Sequence, residues 1–167
     1  VKNVKQGQMD LYHINFENKI RFTLSNYGLR LMNLELLNDA FKEKKIVLSY
    51  KDPKSYLDDK YYLGAIIGPI ANRIKGAKFI LEGEAIILEA NEGKNHLHGG
   101  SKGYHNQFWK EIERENDIDG VKLSFEPEFK NDMKVKVKFS FYDDGYDIEY
   151  FATSDKAHVF NPTQHSY

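Results

Sequence analysis

The chain has 167 residues, a formal net charge of −1 and no cysteine. That length suffices for one ordinary domain with a core. The charge balance gives no reason to expect nucleic acid or an anionic membrane as a partner, and the missing thiols exclude a disulfide framework and thiolate metal sites. The first residues, V-K-N-V-K-Q-G-Q, lack the apolar core of a signal peptide, and no run of about 18 apolar residues is present, so a cytoplasmic protein is expected.

In chain order, strand signals dominate. Ile20–Leu24 alternates apolar and polar residues, and Leu29–Leu37 can also run as an alternating strand. Ser55–Tyr62 reads as a short helical turn with Ser55 as its cap and Asp58 three residues on. Lys78–Leu81 and Ala85–Leu88 flank Glu82-Gly83-Glu84 and predict a hairpin. Val121–Phe125, Met133–Phe141 and Asp147–Phe151 follow, with turns at Asp117–Gly120 and Asp143–Gly145. Lys134, Lys136 and Lys138 alternate with valines, which is the pattern of a wet strand face and not of a phosphate-binding patch. Eleven tyrosines and eleven phenylalanines suit strands, and such rings also form the stacking surfaces of sugar sites. The expected class is all-β and antiparallel, without linker or repeat.

The densest polar segment is N-E-G-K-N-H-L-H-G-G, Asn91–Gly100, with two of the six histidines. In an extended strand His96 and His98 would point to one face. H-x-H is the core of the cupin metal motif, but Gly93 lies only three residues before His96, and Lys102 and Gly103 stand where that motif has glutamate. His105 offers a third imidazole without a carboxylate at ligand spacing, so no metal is expected. Histidine suits general acid–base chemistry near neutral pH. Asn72-Arg73, Asn95–His98 and Gln164-His165 are three separated segments that supply Arg, Asn and His, a set that suits a ligand rich in hydroxyls. No Ser-His-Asp or Cys-His arrangement indicates a covalent nucleophile.

Taken together, A-N-R-I (Ala71–Ile74), L-H-G-G (Leu97–Gly100), Trp109 and T-Q-H-S-Y (Thr163–Tyr167), with N-Y-G at Asn26–Gly28, resemble the aldose 1-epimerase family over nearly the whole chain. Pro69 stands where that family often has arginine. The resemblance implies an antiparallel β-sandwich (the galactose mutarotase-like supersandwich) with a cleft for a monosaccharide, in which α and β anomers of an aldohexose such as galactose or glucose interconvert by acid/base ring opening, without a cofactor. It implies that His165 is the acid, that His98 hydrogen-bonds the sugar near its ring oxygen, and that Asn72 and Arg73 bind substrate hydroxyls. His96 has no role in the family pattern. Family members are about twice as long, and their base glutamate matches no acid here. Residues 1–167 therefore read as the N-terminal portion of a single, incomplete sandwich domain, whose base is expected from a companion chain or segment. The alternative is a non-catalytic carbohydrate-binding β-sandwich of the same fold.

Overall fold

The computed structural model describes residues 1–37, 44–129 and 132–167. Strands β1 (Lys2–Gln6), β2 (Met9–Phe16), β3 (Ile20–Ser25), β4 (Leu31–Leu36) and β5 (Lys44–Lys45) form an antiparallel five-stranded sheet in sequence order. A 3₁₀ turn at Pro53–Asp58 leads to β6 (Ala65–Ile67) and β7 (Arg73–Ile74), then to the hairpin of β8 (Lys78–Leu81) and β9 (Glu84–Ile87), and to the short β10 (His96–Leu97). β11 (Trp109–Asn116), β12 (Val121–Pro127), β13 (Met133–Phe141) and β14 (Tyr146–Ser154) form a second antiparallel sheet, and β15 (Thr163–His165) returns to pair with β6. Among the described residues, no helix is long and apolar enough to cross a membrane.

The two large sheets meet face to face, as the alternation demands. Ile14, Ile20, Phe22, Leu24, Leu31 and Leu34 of the first pack against Leu123, Phe125, Val135, Val137, Phe139 and Phe141 of the second. Phe22 lies 5.0 Å from Phe141 and Tyr12 lies 5.3 Å from Phe125, centroid to centroid. Lys134 is exposed, Lys136 sits over the Phe151 ring and Lys138 pairs with Glu149, while Val135 and Val137 point inward, so this strand has the wet face expected of it. The hairpin at Glu82-Gly83 closes with both loop residues at positive φ, 50° and 87°, and pairs Leu81 with Glu84. That is the conformation that suits the right-handed strand twist. The turn at Pro53–Asp58 is present, but its cap is Asp52, whose carboxylate accepts from the Lys54 N–H. Ser55 lies inside the turn, because Pro53 fixes the helical start one residue after Asp52.

The first sheet is covered on its other face too. Met9, Leu11, Tyr27, Met32, Tyr56 and Leu63 form a second apolar cluster there. Buried within it is an ion pair: Arg30 Nη1 donates to Asp59 Oδ2 at 2.6 Å, and both side chains are wholly buried. Arg30 also donates to the carbonyls of Leu63 and His105 and stacks near the Tyr27 and Tyr56 rings. Asp59 accepts from the Tyr50 hydroxyl and from the Tyr61 and Leu63 N–H groups. Burial pushes the Asp59 carboxyl up, but the Tyr61 N–H and the Arg30 guanidinium outweigh it and hold it below the ordinary carboxylate value.

Removing one partner of a buried pair strands the other charge. Arg30→Leu is therefore expected to lower the unfolding free energy by about 3–5 kcal/mol. Urea denaturation of the variant checks this, and a loss below about 1 kcal/mol would show that Asp59 finds water or another partner.

Candidate active site

Two short pairings outside the large sheets assemble the candidate site. β15 pairs with β6 so that His165 lies opposite Ala65, and β10 pairs with β7 so that Leu97 lies opposite Arg73. The residues that precede or follow these pairs carry the polar groups. Gly64 must adopt φ +64°, since a Cβ there would meet the Leu31 carbonyl oxygen at 2.3 Å. Its N–H donates to the His165 carbonyl at 2.9 Å, and the Leu31 N–H donates to its own carbonyl. The turn that carries Tyr62 is thus stitched to His165 on one side and to the first sheet on the other.

The imidazoles of His98 and His165 come together with centroids 5.2 Å apart, edge to face. Tyr62 joins them: its ring lies 4.9 Å from His98, 4.8 Å from His105 and 5.7 Å from His165. Tyr167 adds a further ring 5.0 Å from His165. Tyr62, Asn72 and His98 all have left-handed backbones, with φ of 59°, 66° and 55°. Such conformations are costly for non-glycine residues and concentrate where surrounding contacts over-determine them.

The left-handed turn at His98 overturns one expectation. The strand ends at Leu97, so His96 and His98 do not share a face. His96 is buried with its Nδ1 2.8 Å from the Glu89 carbonyl, and His98 alone turns into the site. His105 is also buried and brought to the cluster through Tyr62. Among the described residues no group of three His, Cys, Asp or Glu side chains is placed to hold a metal ion.

The protonation of His98 is fixed by its neighbour. The Asn72 backbone N–H donates to His98 Nδ1 at 2.9 Å, and the His98 N–H donates back to the Asn72 carbonyl at 3.1 Å. Nδ1 is therefore an acceptor, and the neutral ring carries its proton on Nε2. Burial, then the nearby His165 and Arg73, push the His98 imidazole below its ordinary value, which keeps it in that neutral form. Asn72 Oδ1 accepts from the Arg73 N–H, so its amide NH₂ stays available as a donor. Arg73 is exposed, and its guanidinium forms a two-point pair with Glu92. The sequence points to His98, His165, Asn72 and Arg73 as site residues; Tyr62 closes the stretch that reads as a helical turn, Glu92 lies in the polar Asn91–Gly100 segment, and neither is assigned a role from sequence.

His105 sits against Gly103, where an added Cβ would come within 2.8 Å of its Nδ1. That nitrogen is buried and has no hydrogen-bond partner among the described residues. Burial, with the nearby Arg30 charge, pushes the His105 imidazole down to about 4.

The family model described as aldose 1-epimerase matches residues 10–167. The chain is 30% identical over 149 residues to aldose 1-epimerase of Escherichia coli, covering 87% of this chain and 43% of that protein. It is 27% identical over 171 residues to maltose epimerase of Levilactobacillus brevis, covering 98% of this chain and 50% of that protein. The crystal structure of galactose 1-epimerase from Lactobacillus acidophilus superposes with a TM-score of 0.82 at 23% identity, covering 99% of this chain and 51% of that one. The chain thus spans about half the length of the relatives it matches.

A histidine whose folded value lies below its unfolded value of about 6.5 binds fewer protons when folded, so stability is full above pH 6.5 and falls as pH drops towards 4. His105 alone is expected to contribute a slope approaching 1.4 kcal/mol per pH unit in that window, with His98 and His13 acting in the same direction. His105→Phe keeps a ring against Tyr62 but cannot titrate. Urea midpoints of this variant should vary less between pH 6.5 and 4 than those of the wild type, and an unchanged slope would exclude His105 as the responsible group.

Proposed function

We propose that this chain, which belongs to the aldose 1-epimerase family, forms one wall of a monosaccharide cleft and supplies the acid for anomer interconversion of an aldohexose such as galactose or glucose. The observation that carries this reading is the meeting of His98 and His165, from distant parts of the chain, with His98 held as an Nε2–H donor.

The chemistry follows from those groups. A cyclic hexose opens when a base takes the proton of the anomeric hydroxyl and an acid protonates the ring oxygen as the bond between C1 and that oxygen breaks. The resulting aldehyde rotates and closes on its other face, and the same proton transfers then run in reverse. His165 supplies the acid proton to the ring oxygen. His98 cannot exchange a proton at Nδ1, because that atom accepts from Asn72, so it acts as a fixed donor that orients the ring oxygen. Arg73 and the Asn72 amide donate to sugar hydroxyls. The base comes from a companion segment facing this wall, in keeping with relatives about twice as long. The apolar recess of about 450 Å³ beside the site, lined by Leu48, Tyr50, Tyr61, Leu63 and Tyr167, offers that segment a seat.

In the assembly that contains the base, freshly dissolved α-D-galactose or α-D-glucose should reach its equilibrium rotation faster with protein than without it. His165→Ala is expected to remove about 10²–10⁴-fold of the acceleration, the usual weight of one acid–base group. His96→Ala, which removes a buried ring and its hydrogen bond to the Glu89 carbonyl but no group in the cleft, should cost much less. Polarimetry decides the matter: equal losses from the two substitutions would sink the assignment of His165 as the acid.

A further inference from the structure

We propose that Glu92 is a positioning and specificity-determining residue, which presents Arg73 to neutral sugars and turns anionic ones away. The proposal rests on the reading of the cleft given above. Arg73 Nε donates to Glu92 Oε2 at 2.6 Å, and Nη2 donates to Oε1. A guanidinium carries five N–H donors in one plane. Two face Glu92, so three remain, two on Nη1 and one on Nη2, along the outer edge of the fork. That edge suits two neighbouring hydroxyl oxygens of one sugar, as it would suit the two oxygens of a carboxylate.

Surface ion pairs between free side chains contribute little, but this pair is held from both ends. Arg73 is fixed in register opposite Leu97, with its N–H bonded to Asn72 Oδ1. Glu92 exchanges both backbone hydrogen bonds with Asn95, at 3.1 and 2.9 Å, across the turn at Gly93. The Asn95 side chain in turn accepts from the Gly76 N–H, which ties that turn to the segment just after Arg73. The clamp therefore sets the direction of the fork before any ligand arrives.

It also sets the charge. Arg73 holds the Glu92 carboxyl below its ordinary value, so Glu92 is ionised near neutral pH and the positive charge of Arg73 is matched. Of the imidazoles around Tyr62, His98 and His105 are pushed down by burial and add no charge near neutral pH, whereas His165, as the proposed acid, carries the proton it donates. A site built for phosphate or carboxylate leaves its arginine unmatched, whereas this one places a carboxylate on it. The same group that aims the fork repels an anionic ligand, so one residue both attracts the right substrate and rejects the wrong one.

The test is to titrate D-galactose, D-galacturonate and D-galactose 6-phosphate into the protein and follow the Cε1–H resonances of His98 and His165. The variants are Glu92→Gln, Glu92→Ala, Arg73→Ala and the Glu92→Ala/Arg73→Ala double. The wild type should bind galactose at least about tenfold more tightly than either anion. Glu92→Ala should weaken galactose by about five- to tenfold and strengthen the anions by at least about fivefold, and this gain should vanish in the double variant and shrink in 0.5 M salt, as a charge effect must. Glu92→Gln, which keeps an acceptor but not the charge, should retain most of the galactose affinity and still gain the anions. Two results overturn the proposal: a ratio of galactose to galacturonate affinity that Glu92→Ala leaves within twofold of the wild type, or an equal cost of Glu92→Ala with and without Arg73. Absence of binding for all three sugars overturns the underlying reading of the cleft and this proposal with it. Binding whose ratio ignores Glu92 overturns this proposal alone.

Discussion

The structure depends on the buried pair of Arg30 and Asp59. Arg30 follows the turn between the third and fourth strands, Asp59 ends the 3₁₀ turn, and their shared partners reach Leu63 and the carbonyl of His105. Three segments with no sheet in common are thus referred to one point. Two bare charges in an apolar cluster would cost several kcal/mol each, which is why every oxygen of Asp59 and most donors of Arg30 are bonded. Such a pair adds little net stability compared with apolar residues of the same volume. Its contribution is geometric, because only one arrangement of the three segments satisfies it.

From that point the site is built outward. Asp59 fixes the turn up to Leu63, and Tyr62 stands in that turn with its ring against three imidazoles. Each left-handed residue in the site costs on the order of 1–3 kcal/mol. The compensation is local: Asn72 and His98 bond one another twice, and Tyr62 accepts from the Ala65 N–H while its ring meets three imidazoles. The two imidazoles are consequently carried on a left-handed turn, for His98, and on the short strand β15, for His165, not on the long strands that dominate the fold.

What the sequence disclosed tracks where the signal is local. The strands through Phe22, Leu123 and Val137 alternate cleanly, because one of their faces is core, and they could be read directly. Trp109–Asn116 could not: W-K-E-I-E-R-E-N has the charges that strands usually lack, and it is a strand because β12 offers it a partner across a bulge at Glu111–Glu113. Lys2–Gln6 is likewise a polar edge, paired with β2 and bonded by Arg114 at Asn3. His98 and His165 were legible as motif histidines, whereas the separation of His96 from His98 turned on a single positive φ that no periodicity announces. Arg30, Tyr62 and Glu92 were silent because each matters through partners far away in the chain.

The pairing of β15 with β6 carries a kinetic meaning. Gln164 bonds the carbonyl of Gly64 across 100 residues of chain, so this contact closes a long loop and is reached only after the shorter-range hairpins of both sheets can form. Until then Tyr62 has no His165 beside it, and the cluster of rings is open. The ring cluster is therefore completed by a long-range contact, and a chain that has formed only its hairpins has not yet brought His165 to Tyr62.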